Sequence, residues 1–183
     1  MTPRNLRFAG LTAAVAAFMA AAPAAAQTQP PPVPPAAKAQ AVPFLKAAGM
    51  SDVFEITSSQ IALQKSQNPQ VREFATEMIG HHTMTTNAAL AAAEAGRLTP
   101  PPPVLDAPHR AMITELLSAG PADFDRVYLA QQVPSHEGAL ELQTAYAQGG
   151  DVASLRGAAK AAVPLVRDHL EDARRMQASM GAM

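Results

Sequence analysis

The chain has 183 residues, with 14 Lys and Arg against 15 Asp and Glu. A formal net charge of −1 argues against nucleic acid or an anionic membrane surface as the main partner. The absence of Cys removes disulfides, thiolate nucleophiles and thiolate metal sites together, so the fold must hold by packing alone.

Residues 1–26 read as an export signal. Arg4 and Arg7 form a positive start, Phe8 to Ala22 an apolar stretch, and Ala24-Ala25-Ala26 supplies small residues for cleavage before Gln27. The apolar run falls short of the about 20 strongly apolar residues that a membrane span needs, and no later segment reaches it. No transmembrane span is therefore expected in the mature protein, and with no Cys after the signal no lipoprotein anchor either. The expected location is periplasmic or secreted. Residues 27–43, QTQPPPVPPAAKAQAVP, are dense in proline, which blocks helix and favours extended polyproline II. They are expected to be a tether that presents the domain.

Residues 44–183 are expected to form one helical bundle domain. Gly49 reads as the end of a short lead-in, with Ser51 or Asp52 capping a helix to about Gln67. Asn68-Pro69 is a cap followed by a first-turn proline, and this helix runs to a Gly96 stop. Thr99 to Pro103 holds consecutive prolines and cannot be helical. A shorter helix fits Pro108 to Ala119, closed by Gly120. A long one fits Ala122 to Gln148, with Pro134 inside it. The last starts at an Asp151 cap and continues to about Met180, through Pro164. No segment alternates as a half-buried strand would. With six Phe, two Tyr and abundant Ala, helices can approach closely. The expected fold is all-α: an antiparallel four-helix bundle with one extra short helix, its neighbours joined up-and-down.

Helical periodicity aims several polar residues inward. After Asn68, one narrow sector collects Val71, Ala75, Met78, His82, Ala89 and Ala93, with His81 at its edge. The final helix groups Leu155, Ala159, Ala162, Val166, His169, Ala173, Met176 and Met180. On the long helix, Leu129, Gln132, His136, Ala139, Leu140 and Gln143 share a face with Asp125. The first helix adds Glu55 on a face with Ser59, Ala62 and Ser66. His109 is expected to be exposed. A buried imidazole needs a partner for each ring nitrogen, from protein, water or metal.

Taken in order, Glu55 with Ile61-Ala62-Leu63, Val71-Arg72-Glu73-Phe74-Ala75 with Met78-Ile79 and His82, Phe124-Asp125 with Tyr128, Gln132-Val133 before His136, Pro164-Leu165 and His169-Leu170 form a pattern. In it the chain resembles the exported bacterial proteins grouped as domain of unknown function 4142. The resemblance spans Phe44 to the C-terminus and implies a ferritin-like helical bundle with no settled activity. Two departures stand out: His81 replaces the acid usual before the helix-2 histidine, and Pro134 sits where a helix former is usual. Met78-Ile79-Gly80-His81-His82 is also similar to a Met-Ile-Pro-His-His motif of a second ferritin-like exported family, some of whose members are linked to copper. That similarity adds Met84 as a soft ligand to consider.

Two readings follow. In the first, His82, His136 and His169 bind one transition-metal ion (zinc, copper or iron) inside the bundle, with Glu55 as an oxygen ligand. His81 and Asp125 are secondary candidates. Asp125 and His136 are about 16 Å apart along one helix and cannot share an ion. The chain lacks a Glu-x-x-His pair, so a di-iron carboxylate site is not expected. In the second reading, the protein is a non-catalytic structural or envelope-stress module whose histidines only hydrogen-bond with Glu55, Asp125 and Tyr128. Conventional hydrolytic catalysis is not expected, since there is no nucleophile motif or Gly-rich phosphate loop, and the sequence favours a non-enzymatic role without deciding it.

Overall fold

The computed structural model describes residues 28–181; the expected signal and its cleavage point lie outside them. Five helices follow a short 3₁₀ turn at Pro35–Lys38: α1 Ala41–Lys65, α2 Pro69–Ala95, α3 Ala107–Ser118, α4 Phe124–Gly149 and α5 Ala153–Gly181. No strand occurs among the described residues, and no helix there is long and apolar enough to cross a membrane.

Local chemistry explains most boundaries. The Asn68 side chain accepts the Gln70 N–H at 2.9 Å, and Pro69 occupies the first turn of α2, where its missing donor has no cost. Asp106 caps α3 in the same way, accepting from the His109 N–H at 3.0 Å. At the end of α2 the left-handed residue is Arg97, φ 56°, not Gly96. The Arg97 and Leu98 N–H groups close back on the Glu94 and Ala93 carbonyls, a Schellman arrangement that satisfies two terminal acceptors.

Two expectations at the N-terminal end give way. Gly49 does not interrupt α1; a Cβ there would stand 3.3 Å from Pro103, so its smallness lets the proline loop lie against the helix. The segment expected as a tether is laid along the bundle instead. Ala37 is fully buried, the Asp151 N–H donates to the Ala39 carbonyl at 3.0 Å, and Lys38 pairs with Glu141. Alanines between the prolines supply apolar area that is worth more buried than solvated.

Side-chain contacts set the helix directions. Glu55 meets His136 while Ser59 meets Tyr128, so α1 and α4 are antiparallel. His81 meets His169 while Ser154 meets Ala92, so α2 and α5 are antiparallel too. Every adjacent long pair is thus antiparallel, but α2 and α4 run the same way and sit diagonally. The order is up-down-down-up rather than the expected simple up-and-down, and α3 with its flanking loops makes the crossover.

The core divides along the bundle axis. One end packs Ile61, Ala62, Val71, Phe74, Ala75, Met78, Phe124, Tyr128, Leu129 and Ala173. The other packs Ala37, Phe44, Leu45, Ala48, Ala93, Leu142, Tyr146 and Leu155, with Phe44 stacked on Tyr146 at 3.9 Å. Beyond Pro134 the buried face of α4 moves to Leu142 and Tyr146, while Leu140 and Gln143 are only partly buried. Between the two ends lies a polar waist.

Candidate metal centre

The waist is built from the positions that periodicity aimed inward. His82, His136 and His169 are 3%, 0% and 4% exposed and come from α2, α4 and α5. Their ring centroids form a near-equilateral triangle: 5.7 Å from His82 to His136, 5.6 Å from His82 to His169, and 5.4 Å from His136 to His169. One ring nitrogen of each lies within 4.8 Å of the other two.

Each imidazole is held by one nitrogen and bare at the other. His82 Nδ1 donates to Asp52 Oδ1 at 2.8 Å, and His136 Nδ1 donates to the Gln132 carbonyl at 2.9 Å. His169 Nε2 meets His81 Nδ1 at 2.8 Å, their rings stacked 5.1 Å apart. The remaining nitrogens, His82 Nε2, His136 Nε2 and His169 Nδ1, are buried without a hydrogen-bond partner. Because a carbonyl oxygen can only accept, His136 carries its proton on Nδ1, and a lone pair sits on Nε2.

Burial sets the charge state. It lowers the His136 pKa to about 3, helped by charge on His82 and opposed by the Gln132 bond. It lowers the His169 pKa to about 2, helped by His136, His82 and His81. Burial also disfavours charge on His82, but the Asp52 hydrogen bond and the Glu55 and Asp52 charges outweigh it, and its pKa stands above the usual imidazole value. Glu55, 1% exposed, is pushed up to about 7 by burial, against the pull of His82 and a Gln132 hydrogen bond. Its Oε1 is 3.8 Å from His136 Nδ1, which is not an ion pair because His136 is neutral and that N–H is already committed. Its Oε2 has no partner.

The profile of the family described as a domain of unknown function, DUF4142, matches residues 12–176. The chain belongs to that family. Among solved structures, a DUF305 fragment from Deinococcus radiodurans superposes with a TM-score of 0.67 at 16% identity, covering 81% of this chain and 99% of that one. CopM in its Cu(II)-bound form gives 0.66 at 15% identity, covering 77% and 97%; its Ag-bound form gives 0.63 at 15%, covering 76% and 96%. At such identities the likeness shows the fold alone. No curated protein gives a significant match.

The other sequence candidates separate. Glu55 lies beside the triangle and His81 behind it, against His169. Asp125 does not join: it sits in the first turn of α4, far along the helix from His136, where a carboxylate complements the helix dipole. Met84 is 54% exposed and is not among the buried groups of the centre. Tyr128 bonds Ser59 at 2.8 Å rather than any imidazole. His109, expected exposed, is 6% exposed, held by Asp106 at 2.6 Å and edge-on to Phe54.

Sequence reasoning missed Asp52, treating it only as a cap. Thr85 and Thr86 hydroxyls donate to its carboxylate at 3.2 and 2.7 Å, so its geometry is fixed before it grips His82. Its spacing three residues before Glu55, on one helix face, was the available signal.

Proposed function

We propose that this protein is an exported helical bundle that binds one transition-metal ion through His82, His136 and His169, with Glu55 as a neighbouring oxygen donor. The observation that carries the reading is that three buried imidazoles from three helices bring one ring nitrogen each within 4.8 Å of the others, while each ring is held at one nitrogen and has no partner at the other. A buried polar atom left unpaired costs about 1–3 kcal/mol. Three of them together approach the about 5–15 kcal/mol that stabilises a whole domain, a cost that an ion bound among them would offset. A void of about 10 Å³ against His82 and His169 has room for one ion- or water-sized body.

The clamps are those that metal-ligating histidines use: a carboxylate for His82 and a backbone carbonyl for His136 fix ring and tautomer. His81 serves as the orienting partner of His169. Imidazole donors without thiolate suit copper, zinc or iron, and the fold's likeness to a copper- and silver-bound protein directs attention first to copper. The purely structural reading is less well supported, because a register-fixing network needs closed hydrogen bonds and here three nitrogens stay open. Arg4, Arg7 and the apolar stretch after them support export with cleavage before Gln27, which mass spectrometry of the secreted protein checks.

The test is elemental analysis and calorimetric titration of the periplasmically expressed protein beside a His82→Ala/His169→Ala variant. Near-stoichiometric metal in the first and none in the second is expected. Equal, negligible metal in both overturns the reading.

A further inference from the structure

Four histidines and two carboxylates make a closed waist, and an ion has to reach it. Two hollows lie in line beside it. The outer one, about 160 Å³, opens at the surface near Met84, and its walls are small: Ala88, Ala89, Ala158 and Ala161. The inner one is the void of about 10 Å³ against His82 and His169. Ala48, Asp52, Thr85, Gln143, Ala162 and Leu165 line both, so the floor of the outer hollow is the roof of the inner one.

We infer that this alanine-walled pit, bounded by α1, α2, α4 and α5, is the loading route of the metal centre, with the Gln143 amide oxygen and the Asp52 carboxylate as its cation-transfer step. The inference rests on the metal-binding reading above. The Gln143 side chain is only partly buried, but its Oε1 is buried and has no hydrogen-bond partner, an otherwise unexplained acceptor. The inner void admits a single water-sized body, so a hydrated ion must shed its shell before reaching the imidazoles. Oxygen donors at the neck replace that hydration: Gln143 by its bare carbonyl, Asp52 by its charge, Thr85 by its hydroxyl. His82 and His169, which line the inner void and each carry an unpartnered ring nitrogen, then take the ion. The alanines have a role here beyond close helix packing, since larger side chains would fill the pit.

A competing way in exists. A groove of about 710 Å³ runs under the proline-rich segment and shares Ser51, Ala139 and Leu142 with the inner void. It is lined by neither Asp52 nor Gln143 nor any histidine of the centre, and its own carboxylate and imidazole, Asp106 and His109, are already paired with each other.

Stopped-flow binding of Co(II), read by its d–d absorption, and extraction by EDTA separate these routes. Ala88→Phe/Ala161→Phe plugs the mouth at two exposed positions and spares the core. Gly138→Phe obstructs the groove, where Gly138 faces Val33. Gln143→Leu removes the neck oxygen at similar size. The mouth plug is expected to slow uptake and release together by about tenfold or more, with affinity unchanged because the ligands are untouched. Gln143→Leu is expected to slow both as well, and Gly138→Phe neither. Unchanged rates in the plugged protein, or slowing by Gly138→Phe alone, overturn the route while leaving the metal site standing. Absence of Co(II), Cu(II) and Zn(II) binding by the wild-type protein overturns the metal site and the route with it.

Discussion

The two apolar ends and the polar waist of this bundle solve different problems with the same helices. At the ends, aromatic and aliphatic residues close on one another, as Phe44 does on Tyr146. At the waist, Asp52, Glu55, His82, His136 and His169 are buried at equal depth, yet several of their atoms have no partner. The ends stabilise; the waist is held in place by them at a cost. Under the metal-binding reading proposed above, an ion bound at the waist recovers part of that loss.

Changes at the ends should therefore act on folding, and changes at the waist on binding. The largest effect is expected for Phe44→Ala, about 3–5 kcal/mol of lost stability in urea unfolding, with metal affinity per folded molecule unchanged. Metal loss at this variant beyond its unfolded fraction would blur the division.

Acid should weaken the metal-free protein through the waist. His136 and His169 have folded pKa values of about 3 and about 2, below the ordinary 6.5 of the unfolded chain. Below pH 6.5 the unfolded state thus binds protons that the folded state refuses, and stability falls. Glu55, raised from 4.5 to about 7, opposes this between those values because the folded state holds its proton there. The net fall expected from pH 6.5 to 4.5 is about 1 kcal/mol per pH unit. Chemical unfolding in chelator across that range measures it, and a flat profile would mean the imidazoles are not held neutral.

Asp52→Ala releases His82 Nδ1 and should lower metal affinity about 10–100-fold, as loss of an orienting carboxylate does, while Thr86→Ala changes it less. His136→Met replaces an unpartnered polar ring by a flexible apolar chain. It should raise metal-free stability by about 1 kcal/mol while lowering metal affinity, the sharpest statement of the contrast between waist and ends. The smallest effect is expected far from both, at Arg97→Gly. Relieving a left-handed non-glycine residue should add about 0.5–1 kcal/mol, read as a small rise in Tm with no change in binding.

How legible the waist was depended on the range of the interactions involved. His82, His136 and His169 were placed inward by helical period alone, because their stripes consist otherwise of Val, Ala, Leu and Met. Asn68-Pro69 announced the start of α2 through local hydrogen bonding. Asp52 escaped because its partners, His82 and Thr86, lie about 30 residues away in sequence. His109 escaped because its place just after the proline run gave no sign of its packing on Phe54, about 55 residues away in sequence. The run of prolines before α1 looked like a spacer, since only the folded bundle provides the surface on which Ala37 is buried.

Local sequence signals were enough to make the described chain helical, to set where most helices begin and end, and to turn most of the expected faces inward, with α4 beyond Pro134 the exception. Those outcomes follow from caps, prolines and a period of 3.6 residues, all of which act within a few turns. Contacts between helices settle the rest: that the crossover sets α2 and α4 parallel, that three inward histidines stand at one level, and which nitrogen of each is left open. These depend on how far separate helices slide and rotate against one another, and that is set by side chains meeting across the bundle, which no single helix encodes.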